Sequence, residues 1–195
     1  MAVKLEGAIE LRKALRAFDP DLSKALTKEM AAGLKPVVKA ARGYLPSNDQ
    51  VLTNWSISNA HEGTSFPYYD YAKAKRGITY KTSPSKANSK GFRALASIVN
   101  KNAAGAIFET AGRKNPWGQP WNPASKSHDY SHSFNQLAGR DFITAANKIS
   151  KLYGSGNEKG RVIYRAWEED QGRAQDIVIR AIERAAAKFY GRAAA

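Results

Sequence analysis

The 195-residue chain has no cysteine, three histidines and two methionines, and between Asp70 and Glu109 it has no acidic residue at all. Without cysteine there is no disulfide, no thiolate nucleophile and no sulfur-ligated zinc or iron–sulfur site, so stability must come from packing and assembly. No stretch approaches the roughly 20 apolar residues that span a bilayer, and the start of the chain alternates charged with apolar residues instead of forming an apolar signal core. The expectation is a soluble protein, neither exported by an N-terminal signal nor embedded.

The usual constellations of catalysis are missing as well. Gly154, Ser155 and Gly156 lack the following lysine and helix of a phosphate loop, and the serines form no nucleophile elbow. Glu168, Glu169 and Asp170 read as acids placed at a helix boundary, where the N-terminal dipole favours them. Ser127-His128-Asp129-Tyr130-Ser131-His132 holds two imidazoles four residues apart, but the segment follows Pro123 in a Ser-rich stretch with no adjacent glutamate to act as a base. It reads as a solvated loop. No catalytic residue, metal site or cofactor is expected, and the chain is not expected to be an enzyme.

What is present in excess is positive charge. The formal charge is +14 and the pI is near 10.0. Residues 46–160 carry fifteen basic groups against seven acidic ones, whereas the two ends are more mixed. The acid-free segment alone holds Lys73, Lys75, Arg76, Lys81, Lys86, Lys90, Arg93 and Lys101. Like charges in such a block repel unless an opposite charge sits nearby, so the segment implies a polyanion or an acidic partner surface. No helix-turn-helix, zinc finger or aromatic-basic recognition strand accompanies it, which points to contact by charge and not to reading of sequence.

Along the chain, Ala8, Leu11, Leu15 and Phe18 recur at helical spacing. Asp19-Pro20 restarts a helix, with Asp as the cap and Pro at the first helical position. Leu22, Leu26, Met30, Leu34, Val37, Val38 and Ala41 then form one apolar stripe, interrupted by Gly33 and Pro36, which predict a kink near residues 32–36. Residues 51–99 read as short strand-like pieces, with strands at 78–81 and 92–99 joined by a mobile loop at 82–91, together a long basic hairpin. Residues 115–133 are irregular, with Trp117 and Trp121 flanking Gly118-Gln119-Pro120. A helix follows at 141–152, then a Gly-Ser-Gly linker at 154–156. Ala174, Ile177, Val178, Ala181, Ile182, Ala185 and Phe189 stripe a last helix that Gly191 is placed to close, with Val162, Ile163 and Trp167 as further core candidates. The layout is that of a single α+β domain spanning residues 1–195.

Two segments carry a resemblance. Ala103-Ala104-Gly105-Ala106-Ile107-Phe108-Glu109-Thr110-Ala111-Gly112-Arg113 resembles an element of the tail-completion, or head-to-tail connector, proteins of long-tailed bacteriophages (siphophages), where a short apolar run leads into an aromatic, a glutamate and a glycine. Gly160-Arg161-Val162-Ile163-Tyr164-Arg165-Ala166-Trp167-Glu168 is similar to that family's approach to its last helix, with Val162 and Arg165 standing where prolines are usual. The opening Lys4-Leu5-Glu6-Gly7, the long second helix with its internal proline and the alanine-rich final helix follow in the same order. Residues 115–158 look like a loop-plus-helix insertion.

The resemblance implies a structural virion protein of the neck, assembled in the host bacterial cytoplasm. It would form a homo-oligomeric ring of six- or twelve-fold symmetry between head-closure proteins and the tail tube or terminator, around the path of the DNA. It places Glu109, Arg113, Trp117 and Trp121 at a contact between subunits, since a cyclic ring joins two different faces of each copy. It turns the basic hairpin toward DNA in the lumen or toward a protein neighbour. The alternatives are a tail terminator, a head-closure stopper or a minor tail protein and, in another class, a free sequence-independent nucleic-acid-binding protein.

Overall fold

A computed structural model describes residues 7–51, 55–56, 67–89, 91–127, 129–133, 135–156 and 158–193. The fold is mixed α+β, with seven helices and two small two-stranded antiparallel sheets among those residues. In chain order the elements are α1 (Ala8–Phe18), α2 (Pro20–Gly43), α3 (Tyr71–Gly77), β1 (Ile78–Lys81), β2 (Ser97–Asn100), α4 (Ala103–Thr110), α5 (Ala138–Ile149), β3 (Tyr153–Ser155), β4 (Glu158–Gly160), α6 (Ile163–Glu169) and α7 (Arg173–Ala193). They form two compact units, one of residues 1–40, 79–99 and 166–195, the other of residues 41–78 and 100–165.

The first unit is built on the three striped helices. Asp19 accepts the Leu22 N–H at 3.0 Å and so caps α2 as its position before Pro20 predicts. All seven stripe positions of α2 are buried. Leu11, Leu15, Leu26, Met30, Val178 and Ile182 share one core with Leu95 and Ala96 from the approach to β2. Gly33 has a packing reason: a Cβ there would lie 2.8 Å from Ile177 Cγ2. Asp170 accepts the Ala174 N–H at 2.6 Å and sets the start of α7, which runs through Gly191 to Ala193. Phe18 departs from the expected stripe and is 80% exposed at the end of α1. Arg12 is buried here; its Nη1 donates to the carbonyls of Thr82 and Leu95, tying the connection after β1 to α1.

The second unit centres on aromatic packing. Trp55 meets Tyr69 at 5.3 Å between ring centroids and Phe142 edge-on at 4.9 Å, and Tyr69 in turn meets Phe108 at 6.5 Å. Tyr69 is fully buried and its hydroxyl donates to Pro46 O at 2.7 Å, while burial pushes its pKa up from the ordinary tyrosine value. Two expectations are corrected in this unit. Residues 71–77, read as strand-like, form helix α3, capped by Asp70 through the Lys73 N–H at 3.0 Å. The Gly-Ser-Gly linker is a tight antiparallel turn pairing Tyr153 with Gly160 and Ser155 with Glu158, made possible by positive φ at Gly154 and Gly156. The strand expected at 92–99 is confined to Ser97–Asn100, and the helix expected at 141–152 is Ala138–Ile149.

Candidate functional site

Among the described residues, one buried polar constellation joins residues 103–113 to residues 160–168. Asn102 accepts the Gly105 N–H at 2.8 Å and starts α4, whose last full turn presents Phe108 and Glu109 inward. The β3–β4 turn then delivers Gly160 and Arg161 beside α4, and the Arg161 N–H donates to Glu109 O at 3.1 Å. Only glycine fits at 160, since a Cβ would lie 2.1 Å from Glu109 Oε1 and 2.6 Å from Tyr164 Cδ2.

Glu109 is 4% exposed, and its carboxylate is saturated by backbone donors. Val162 N–H reaches Oε2 at 2.7 Å, Ile163 N–H bridges both oxygens at 3.0 and 3.1 Å, and Tyr164 N–H reaches Oε1 at 3.1 Å. These are the donors at the start of α6, which have no partner within their own helix, so a residue from α4 caps α6 and meets its positive dipole end. Arg161, with no exposed surface, does the converse for helix ends that need a cation. Its Nη1 donates to Phe108 O at 3.0 Å and Ala111 O at 2.7 Å at the end of α4, and its Nε donates to Ser150 O at 2.9 Å at the end of α5. Nη2 reaches Asn147 Oδ1 at 2.7 Å, and the guanidinium lies 5.7 Å from the Phe108 ring centroid.

Burial sets the protonation energetics. It raises the Glu109 pKa from the ordinary value, while the three amides and the nearby Arg113 charge oppose that rise. Burial likewise lowers Arg161 to about 10, opposed by the Glu109 charge. With its oxygens taken up by amides and its guanidinium spent on carbonyls, the pair holds three helices together and offers no atom to a substrate. Among the described residues, no group of three His, Asp or Glu side chains is placed to hold a metal ion. Nor is any helix among them long and apolar enough to cross a membrane.

The four residues expected at a subunit contact separate in character. Glu109 is buried and committed within its own unit, so its side chain is a scaffold and not a contact surface. Arg113 is half-buried, with its guanidinium 5.1 Å from the Tyr164 ring centroid, and its charge favours the ionised Glu109. Trp117 is 80% exposed and Trp121 40%. Their loop is fixed: Ser131 N–H donates to Pro120 O at 2.7 Å, and Asn122 N–H donates to Ser131 O at 3.1 Å. Trp121 Nε1 also donates to Ser133 O at 2.8 Å. Gly118 adopts φ +83° against Gly139, at the start of α5.

The cations of the acid-free segment are divided. Lys73, Lys75 and Arg76 stand on α3 and Lys101 follows β2, whereas Lys81, Lys86 and Arg93 belong to the first unit; all seven are exposed. Lys90 lies outside the described residues, as does His128. Sequence reasoning missed Arg161 as a site residue, although it matched the segment containing it. The signal was an arginine set directly between Gly160 and the apolar Val162-Ile163. Compared with family models, curated proteins and solved structures, the chain matches none.

Proposed function

We propose that the protein is a neck component of a long-tailed bacteriophage: a structural, non-catalytic subunit that closes into a ring between head-closure proteins and the tail tube and completes the joining of head to tail. One observation carries the reading. The two segments that resemble the connector family, 53 residues apart at Phe108 and Arg161, are bound to each other through Glu109 and Arg161 and form one built unit. A resemblance confined to unrelated surface stretches would not converge on a single buried junction. In this reading Trp117 and Trp121 supply the apolar anchors of a heterologous contact, for which tryptophan is well suited. Arg113 flanks that contact, and Glu109 fixes the scaffold behind it. The long helix α2 bends at Pro36, and a basic hairpin from β1 to β2 faces the lumen, where DNA phosphates supply the polyanion.

Gel filtration with light scattering of the purified full chain tests the proposal. A discrete ring-sized oligomer, or a monomer that closes into rings when mixed with neck partners, supports it. A chain that stays monomeric with those partners, yet shifts any duplex in a salt-dependent way, favours the second reading of a free nucleic-acid-binding protein. The seven exposed cations are the observation that keeps that reading in view.

A further inference from the structure

Four cations of the acid-free segment stand on the second unit, Lys73, Lys75 and Arg76 on α3 and Lys101 after β2. Lys101 abuts the end of α3, because its backbone N–H donates to Gly77 O at 2.9 Å. That end is clamped: Arg42 Nε and Nη2 fork onto Ile78 O at 3.1 and 2.8 Å, and a Cβ on Gly77 would lie 2.7 Å from the Cβ of Asn102. Lys73 and Arg76, three residues apart, are neighbours on the helix surface. Lys75 folds back over Tyr71, with Nζ 3.3 Å from its hydroxyl. The nearest acid in sequence, Asp70, is already engaged. One oxygen caps the Lys73 N–H at 3.0 Å, and the other lies 3.8 Å from Lys73 Nζ.

We infer that Lys73, Lys75, Arg76 and Lys101 form a binding site for the phosphate backbone of duplex nucleic acid, recognised by charge and not by sequence. The backbone that carries the site is held by a capped helix and its clamps, so binding need order only the side chains. Its composition favours phosphates over an acidic protein. Every large apolar side chain exposed among the described residues lies outside residues 71–101, whereas a protein interface requires apolar anchors and a phosphate contact requires only cations and other donors. The inference deepens the lumen contact of the proposed neck role by moving it onto a folded helix. It does not depend on ring formation.

Fluorescence anisotropy of the full chain with labelled duplexes of unrelated sequence, titrated at several salt concentrations, tests it. The expected result is equal affinity for the different duplexes and a steep salt dependence. Combined replacement of Lys73, Lys75, Arg76 and Lys101 by glutamine, with an unchanged circular dichroism spectrum, should flatten the log–log salt slope by about 3. The loop variant Lys81→Gln, Lys86→Gln, Arg93→Gln should retain most of the slope. If the fourfold variant does not fold, Lys75→Glu alone at its exposed position reads the same effect. A folded fourfold variant with an unchanged slope overturns the inference, as does loss confined to the loop variant. Equal competition by polyglutamate would assign the patch to an acidic protein instead. A ring that binds no duplex removes this inference and leaves the neck role standing; a chain that stays monomeric with neck partners and binds duplex through these residues does the reverse.

Discussion

Glu109 and Arg161 are charged side chains at a depth where leucine and valine are usual, and each is accommodated because helix ends supply what water would have supplied. Three amide donors meet the carboxylate, and four acceptors meet the guanidinium. The residual desolvation has a measurable sign. A carboxyl whose folded pKa is raised binds its proton more readily in the fold than in the unfolded chain, so its contribution to stability is full below the ordinary value of 4.5 and is lost as pH rises through the folded pKa. In chemical denaturation, the stability of the parent relative to Glu109→Gln should therefore decline as pH rises above 4.5. A difference that grows with pH would show that the amides outweigh desolvation. At position 160 the constraint is steric: Gly160→Ala pushes a methyl into Glu109 Oε1 and should cost about 1–3 kcal/mol. An unchanged denaturation midpoint would mean that the junction yields where the geometry has it tight.

At the scale of elements, legibility followed periodicity. The stripes of α1, α2 and α7 repeat an apolar side chain every three or four residues, and the three helices form over those positions, with Asp19 capping α2 as its sequence position implies. Helix α3 was not legible because only Ala74 of its seven residues is buried, leaving no stripe to read. The β3–β4 turn was hidden in a segment with linker composition, where two glycines serve positive φ angles. Pairing across 50 residues or more, as between Arg161 and α4, leaves no local pattern. The exposed tryptophans were readable from their proline-rich loop, but the hydrogen bonds that fix the loop were not. The element most exposed to test is α7, whose Val178 has no accessible surface. Val178→Asp buries an unpaired charge at a cost of several kcal/mol, comparable with the whole stability of a small domain, and should abolish cooperative unfolding in a calorimeter. A soluble, cooperatively folded variant would place the core elsewhere.

For the molecule as a whole, two units built from separated segments carry a net charge of +14, with no disulfide to strengthen either. Each unit has its own packed core or aromatic cluster; in the proposed neck role, assembly adds contact between copies and a partner for the excess charge. The neck role accounts for both, through exposed tryptophans on a fixed loop and exposed cations on a clamped helix. Its most direct test is electron microscopy of particles in which this subunit carries a dense label. The account predicts a ring of label at the junction of head and tail. Label distributed along the tail tube, on the capsid shell or at the distal tip, or particles without any label, would contradict it.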